Sequence, residues 1–179
     1  MRWFGNSRPA IEALVEAHYA ALYRYAYRLS GSCQEAEDLT QETFCLAQGK
    51  LFQLREENRA KSWLFTILRN AYLHKLRACK QEKEVPLDGV AELPERSPEP
   101  LPAVDSVQLQ KALDELPEAF RTALILYYFE EFSYKDIAEQ MNVPLGTVMS
   151  RLARAKTFLR QRLTDHADLD GKANQGEGK

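Results

Sequence analysis

Five of the eight prolines in this 179-residue chain, Pro86, Pro94, Pro98, Pro100 and Pro102, fall between residues 81 and 103. Few apolar side chains stand among them. Such a stretch can continue neither a helix nor a strand, and it reads as a stiff, extended linker. The chain must therefore fold as two small pieces, each with a modest core that gains from a partner. The expected division is a helical domain over 8–81, a linker over 82–103, a second helical domain over 104–163 and a tail over 164–179. The tail has no large apolar residue after Leu169 and holds three glycines, so it is expected to be disordered.

Charge follows the same division. Residues 1–80 carry 12 bases and 8 acids, residues 81–103 carry 2 and 6, residues 104–163 carry 8 of each, and the tail carries 2 and 4. Two stretches contain no acid at all. Asn58 to Gln81 holds Arg59, Lys61, Arg69, Lys75, Arg77 and Lys80, and Gln140 to Thr164 holds Arg151, Arg154, Lys156, Arg160 and Arg162. A solvated helix usually mixes signs. Two acid-free basic segments on separate modules point instead to a polyanion touched at two places.

No apolar run reaches the roughly 18 residues of a membrane helix, and the start lacks a signal-peptide core. No membrane insertion is expected, and the cytosol is the expected location. Cys33, Cys45 and Cys79 are odd in number and widely spaced, and they read as reduced, partly buried thiols. With His18, His74 and His166 they form no ligand pattern, so neither a metal nor another cofactor is expected.

The fold class expected is all-α. Ile11, Leu14, Val15, His18, Leu22, Tyr25 and Leu29 keep helical spacing up to Gly31. Ser32 and Glu35 form a capping-box pattern that opens a second helix with inner stripe Ala36, Leu39, Thr40, Thr43, Phe44 and Ala47. A third helix runs from about Ala60 to Lys80, with Leu64, Ile67, Leu68 and Ala71 inward. Beyond the linker, Leu109, Leu113 and Leu116 mark a helix that Pro117 closes. The next helix is expected to bury Phe120, Leu124 and Tyr127.

Phe132 to Leu163 reads as a helix-turn-helix: Tyr134 to Met141, a turn at Asn142 and Val143, then a long helix from Pro144 to about Leu163. Asn tolerates the left-handed backbone of a tight turn, and Pro wastes no donor at a helix start. Ile137, Ala138 and Met141 face inward from the first helix, and Val148, Leu152, Ala155 and Leu159 from the second. Thr147, Ser150, Arg151 and Arg154 form an outward stripe. In such a motif the start of the second helix enters the major groove, where arginines grip guanine edges and hydroxyls reach phosphates. Gly146 removes a side chain where a DNA backbone comes close.

Several runs together resemble bacterial RNA polymerase sigma factors of the extracytoplasmic-function (ECF) type. Leu22 to Gly31 (LYRYAYRLSG), Ala36 to Phe44 (AEDLTQETF) and Ser62 to Asn70 (SWLFTILRN) look like sigma region 2. Leu116 to Arg121 (LPEAFR) and the helix-turn-helix look like region 4. The resemblance covers about residues 10–163. It implies a three- to four-helix region 2 bundle and a region 4 domain that reads the minus-35 duplex through Gly146, Thr147, Ser150, Arg151 and Arg154. It implies that Glu37, Asp38, Leu39, Gln41 and Glu42 dock on core RNA polymerase. Acids and an amide suit a basic coiled coil, although a helix dipole alone also favours acids in a first turn.

The resemblance further implies that region 2 captures the melted minus-10 strand through Arg59, Lys61, Ser62, Trp63, Thr66, Asn70, His74, Lys75, Arg77 and Lys80. A flipped base would enter a pocket formed by the start of the third helix and the loop over about 54–62. Trp63 reads equally as a core anchor or as a wall for that base. His74 stands where the family often has an acid or small polar residue, and Arg55 to Asn58 lacks the glycine often found there. An anti-sigma protein is an implied partner, and an envelope or stress regulon is the implied setting. The linker acids Glu82, Glu84, Asp88, Glu92, Glu95 and Glu99 are expected to mimic nucleic acid in the polymerase channel.

Two other classes bear on the same residues. A stand-alone helix-turn-helix regulator needs a dimer surface or ligand pocket. A metal-dependent nuclease would use Glu35, Glu37, Asp38 and Glu42, which crowd onto neighbouring turns of one helix without a second contributor.

Overall fold

A computed structural model describes the backbone of residues 11–80 and 106–173 and the side chains of 11–78 and 106–164. The chain divides into two compact units, the first ending at Gly89 and the second beginning at Val90. The expected linker, its acids and residues 174–179 lie outside the described residues.

The first unit is a bundle of α1 (Ile11–Ser30), α2 (Cys33–Lys50) and α3 (Ala60–Lys80), with short 3-10 turns at Leu51–Gln53 and Glu57–Arg59. Each helix packs against the other two. Gly31 ends α1 at a φ of 72°, a left-handed conformation that glycine adopts without strain. Only half of the expected capping box forms at Ser32. Its Oγ accepts the Glu35 N–H at 3.4 Å, but its own N–H donates to Ser30 Oγ at 3.3 Å. The nearer hydroxyl has displaced the Glu35 carboxylate.

The inner stripe of α2 is buried as its spacing predicts, and so are Leu64, Ile67, Leu68 and Ala71. Tyr25 and Phe65 stack in the centre with ring centroids 4.9 Å apart. The Tyr72 hydroxyl donates to the Leu29 carbonyl at 2.7 Å, which satisfies an acceptor in the last turn of α1. Cys33 and Cys45 are exposed rather than partly buried, because both lie off the inner stripe of α2. The Cys79 side chain is outside the described set. The Tyr23 hydroxyl, hydrogen-bonded to Cys33, has its pKa raised by that bond first and by burial second.

The second unit contains α4 (Ser106–Asp114), α5 (Glu118–Tyr128), α6 (Tyr134–Met141) and α7 (Leu145–Ala173). The Arg121 guanidinium donates to the carbonyls of Asp114 and Leu116 at 3.0 and 3.1 Å and lies 3.6 Å from the Asp114 carboxylate. It thus caps the C-terminal end of α4, where carbonyls lack helical partners and cations are favoured. This gives the LPEAFR run a structural purpose. Arg162 of α7 meets Glu115 at 2.8 Å and ties that same corner down.

Two expectations change here. α5 buries Thr122, Ala123, Leu124, Ile125 and Leu126, whereas Phe120 and Tyr127 are half-buried. A helix packed by both α6 and α7 is covered on more than one face, so a single stripe underestimates it. α7 also runs to Ala173, ten residues past the predicted end and into the segment assigned to a disordered tail. No proline interrupts it, and Ala167 and Leu169 are good helix formers.

Candidate nucleic-acid interface

On α3 the residues Trp63, Thr66, Asn70, His74 and Arg77 recur every three or four positions and share one stripe. Trp63 and Thr66 are half-buried; Asn70, His74 and Arg77 are exposed. Trp63 thus neither sits fully in the core nor stands clear of it. Asn70 and His74 open onto a cleft of about 220 Å³ between α2 and α3. Glu42, Leu46 and Lys50 form its α2 wall, and Ile67 and Ala71 complete the α3 side. The described cleft lies farther along α3 than the expected pocket at 54–62, where α2 passes the small Ala71.

The other residues of this set are placed differently. The Ser62 hydroxyl donates to the Arg59 carbonyl at 3.1 Å, and the Thr66 hydroxyl to the Ser62 carbonyl at 2.8 Å. Each oxygen keeps acceptor capacity. Arg59 pairs with Glu56 at 3.3 Å, and Lys75 with Glu42 at 3.2 Å. Lys61 lies 5.7 Å from the Phe65 ring centroid and acts on His18 of α1. It therefore stands apart from Asn70 on the helix surface. The His18 pKa is lowered, by burial first and by Lys61 second. The Lys80 side chain is outside the described set.

On α2, Glu37, Asp38 and Gln41 are exposed and Glu42 is half-buried. Leu39 is 1 % exposed, so it belongs to the core and not to that acidic face. Leu39 therefore offers almost no surface of its own to a partner. It supports the face from beneath.

In the second unit α6 opens with a complete capping box. The Ser133 hydroxyl accepts the Asp136 N–H at 3.2 Å, and the Asp136 carboxylate accepts the Ser133 N–H at 3.2 Å. Asn142 adopts φ 51° and ψ 51°, the left-handed turn that its side chain tolerates. The Val143 N–H then donates to the Ala138 carbonyl at 3.1 Å, and α7 begins. Val148, Leu152, Ala155, Leu159 and Leu163 anchor α7 in the core. On α6 Ile137 and Met141 are buried as expected. Ala138 is half-buried and borders a surface groove, and Gln140 is buried beside Met141.

The outer face of α7 carries Gly146 and Ser150, both exposed, with Thr147, Arg151 and Arg154 half-buried. Thr147, Ser150, Arg151 and Arg154 fall on one stripe, as their spacing requires. The Ser150 hydroxyl donates to the Thr147 carbonyl at 3.0 Å. A Cβ placed on Gly146 would meet nothing within 4 Å. The fold itself therefore does not require glycine there. Behind α6, the Tyr127 and Tyr134 rings stack 4.9 Å apart, and their hydrogen bond with burial pushes the Tyr134 pKa up to about 12.

Two family models match, in this order along the chain: Sigma-70 region 2 over residues 14–82 and Sigma-70 region 4 over residues 106–159. The chain is 30% identical over 176 residues to the ECF RNA polymerase sigma factor SigW of Bacillus subtilis, a match covering 89% of this chain and 92% of the relative. This chain belongs to the ECF RNA polymerase sigma factor family. The sigma factor is also 35% identical over 167 residues to SigE of Mycolicibacterium smegmatis, across 89% of this chain but 63% of that longer relative. A solved structure of the sigma factor RpoE in complex with the anti-sigma factor NepR, from Bartonella quintana, is similar with a TM-score of 0.71 and 32% identity. It covers 86% of this chain and 96% of that one.

Within the sigma factor, the cleft is built by region 2 and the α7 face by region 4. Leu46 and Lys50 of the cleft were missed in the sequence. They sit off the inner stripe of α2, at four-residue steps from Glu42, and that spacing was the available signal. Leu145 and Met149, on the first turns of α7, are exposed apolar side chains. Among the described residues, no three His, Cys, Asp or Glu side chains gather as a metal site would require, and no helix is long and apolar enough to cross a membrane.

Proposed function

We propose that this sigma factor binds core RNA polymerase, carries it to specific promoters and helps hold the minus-10 region open. It performs no bond chemistry itself. The observation that carries the reading is the pairing of two modules, region 2 and region 4 in that order, each presenting a helix drawn from an acid-free basic segment. A stand-alone regulator has no need of the first module.

Region 4 reads the minus-35 duplex with Thr147, Ser150, Arg151 and Arg154, while Gly146 leaves clearance for the phosphate backbone. Region 2 takes an unpaired minus-10 base into the cleft between α2 and α3. Asn70 and His74 meet the base edge, Leu46 and Ile67 give an apolar wall, and Lys50, Lys75 and Arg77 attract the phosphates. Glu37, Asp38, Gln41 and Glu42 form the docking face for polymerase. An anti-sigma protein holds the factor inactive, a partner suggested by the RpoE complex with NepR. The setting is the cytosol, and an envelope or stress regulon is the proposed output.

Run-off transcription with purified core polymerase on a random promoter library tests the reading. A two-part motif recovered only when both proteins are present supports it. Equal and specific DNA binding by the isolated chain sinks it in favour of a stand-alone regulator.

A further inference from the structure

Two side chains with opposite tasks meet where α2 faces α3. Glu42 stands in the acidic row of α2 with Glu37, Asp38 and Gln41, and Lys75 stands in the acid-free basic stretch of α3. Lys75 Nζ lies 3.2 Å from Glu42 Oε2, and the two side chains are 46 % and 42 % exposed. The pair is made, yet solvent and any macromolecule in it can reach either member. Glu42 also lines the cleft onto which Asn70 and His74 open, so the pair borders that cleft as well as the acidic row.

We propose that the Glu42–Lys75 pair restrains the free factor and is exchanged on docking, so that polymerase binding and DNA binding reinforce each other; this rests on the reading of Glu42 as a docking residue and of Lys75 as a phosphate contact. Electrostatics supplies the coupling. A carboxylate shared with Lys75 offers less negative charge to a basic partner surface, and an ammonium shared with Glu42 offers less positive charge to a phosphate. A polymerase cation that takes over Glu42 leaves Lys75 without its α2 counter-charge, and a phosphate then attracts it more strongly. A strand that occupies Lys75 first frees Glu42 by the same measure, because coupling between two binding sites is reciprocal. Exposure makes the exchange possible. A half-exposed pair is weak enough for a third charge to break, whereas a buried pair would lose too much when either member left. The flexible lysine stem lets the ammonium swing from carboxylate to phosphate without moving the helix that carries it.

The test is a double-mutant cycle on the whole protein with Glu42→Gln, Lys75→Met and the double variant. Affinity for core polymerase without DNA is measured first. Lys75→Met should tighten it by about two- to five-fold, the range open to a half-exposed pair, and Glu42→Gln should remove that gain. Affinity of the isolated protein for a fluorescent single-stranded DNA oligonucleotide at low salt is measured second. Glu42→Gln should tighten it by a similar factor and steepen its salt dependence, but only while Lys75 is present. With polymerase already bound, Glu42→Gln should bring no such gain in DNA affinity. Both side chains are half exposed, so all three variants should melt close to wild type. The proposal is overturned if Lys75→Met leaves polymerase affinity unchanged or weaker. It is overturned equally if the DNA gain from Glu42→Gln is as large in the Lys75→Met background, or survives undiminished in the polymerase complex. Polymerase-dependent transcription by the wild-type protein is read separately. Its failure removes the promoter-specificity reading, whereas its success alongside additive variants removes the coupling alone.

Discussion

Lys75 Nζ lies 3.2 Å from Glu42 Oε2, joining α3 to α2 beside the cleft that Glu42 helps to line. Both side chains are about half exposed, so the pair contributes on the order of 0.2–1 kcal/mol to folding. Its stronger consequence is electrostatic. Glu42 lowers the positive charge that Lys75 presents to a phosphate, and Lys75 lowers the negative charge that Glu42 presents to a basic partner. Lys75→Ala is therefore expected to weaken DNA binding in the polymerase complex across all sequences and to reduce the salt slope by about one unit. Glu42→Gln should weaken polymerase binding, with a melting temperature close to wild type. Salt titrations of each complex, alongside thermal melts, check both.

The two faces should also separate by sequence preference. Asn70→Ala or His74→Ala should blur the minus-10 half of the motif selected from the library, and Arg151→Ala the minus-35 half. The loss at a bidentate contact is on the order of 1–3 kcal/mol. Sequencing the templates chosen by each variant decides the matter. If one variant erases both halves equally, the assignment of separate roles fails.

Gly146 gives a case in which stability and binding move in opposite directions. Space is open at its Cβ, and glycine is less favourable than alanine in a helix by about 1 kcal/mol. Gly146→Ala should raise the melting temperature slightly. The added methyl should reduce affinity for duplex minus-35 DNA if a backbone passes close by. Unchanged affinity would show that the glycine is not a clearance site.

Tyr72 tests the first unit. Its hydroxyl is the donor to the Leu29 carbonyl, which is buried with it. Tyr72→Phe leaves that carbonyl without this donor, and the expected loss is about 1–3 kcal/mol in urea denaturation. A loss near zero would mean that water or another donor replaces the hydroxyl.

His18 sets an acid limit on the same unit. Its folded pKa lies below the ordinary value, through burial and then Lys61. The unfolded chain therefore binds the proton more readily. Stability contributed here is present above the unfolded pKa, near 6.5, and declines as pH falls toward the folded value. His18→Gln should flatten the melting temperature between pH 7.5 and 5 relative to wild type.

The helices themselves could be read from the chain because their signals are local. The α2 stripe Ala36, Leu39, Thr40, Thr43, Phe44 and Ala47 follows from periodicity, and the Asn142 turn from side-chain chemistry. The outward stripe on α7 followed in the same way, since spacing fixes which residues share a helix face. Several placements depended on neighbours distant in sequence. Ile125 and Tyr127 differ in burial because α6 and α7 cover α5 unevenly. Leu39 was assigned to a docking face and lies in the core, because α1 and α3 close over it. The cleft joins residues of α2 with residues well separated from them in sequence on α3, and only the crossing of the two helices makes Leu46 and Asn70 neighbours. Sequence thus determined the elements, their faces and the charge they carry. Tertiary structure decided which faces meet, since that outcome depends on packing among several helices at once.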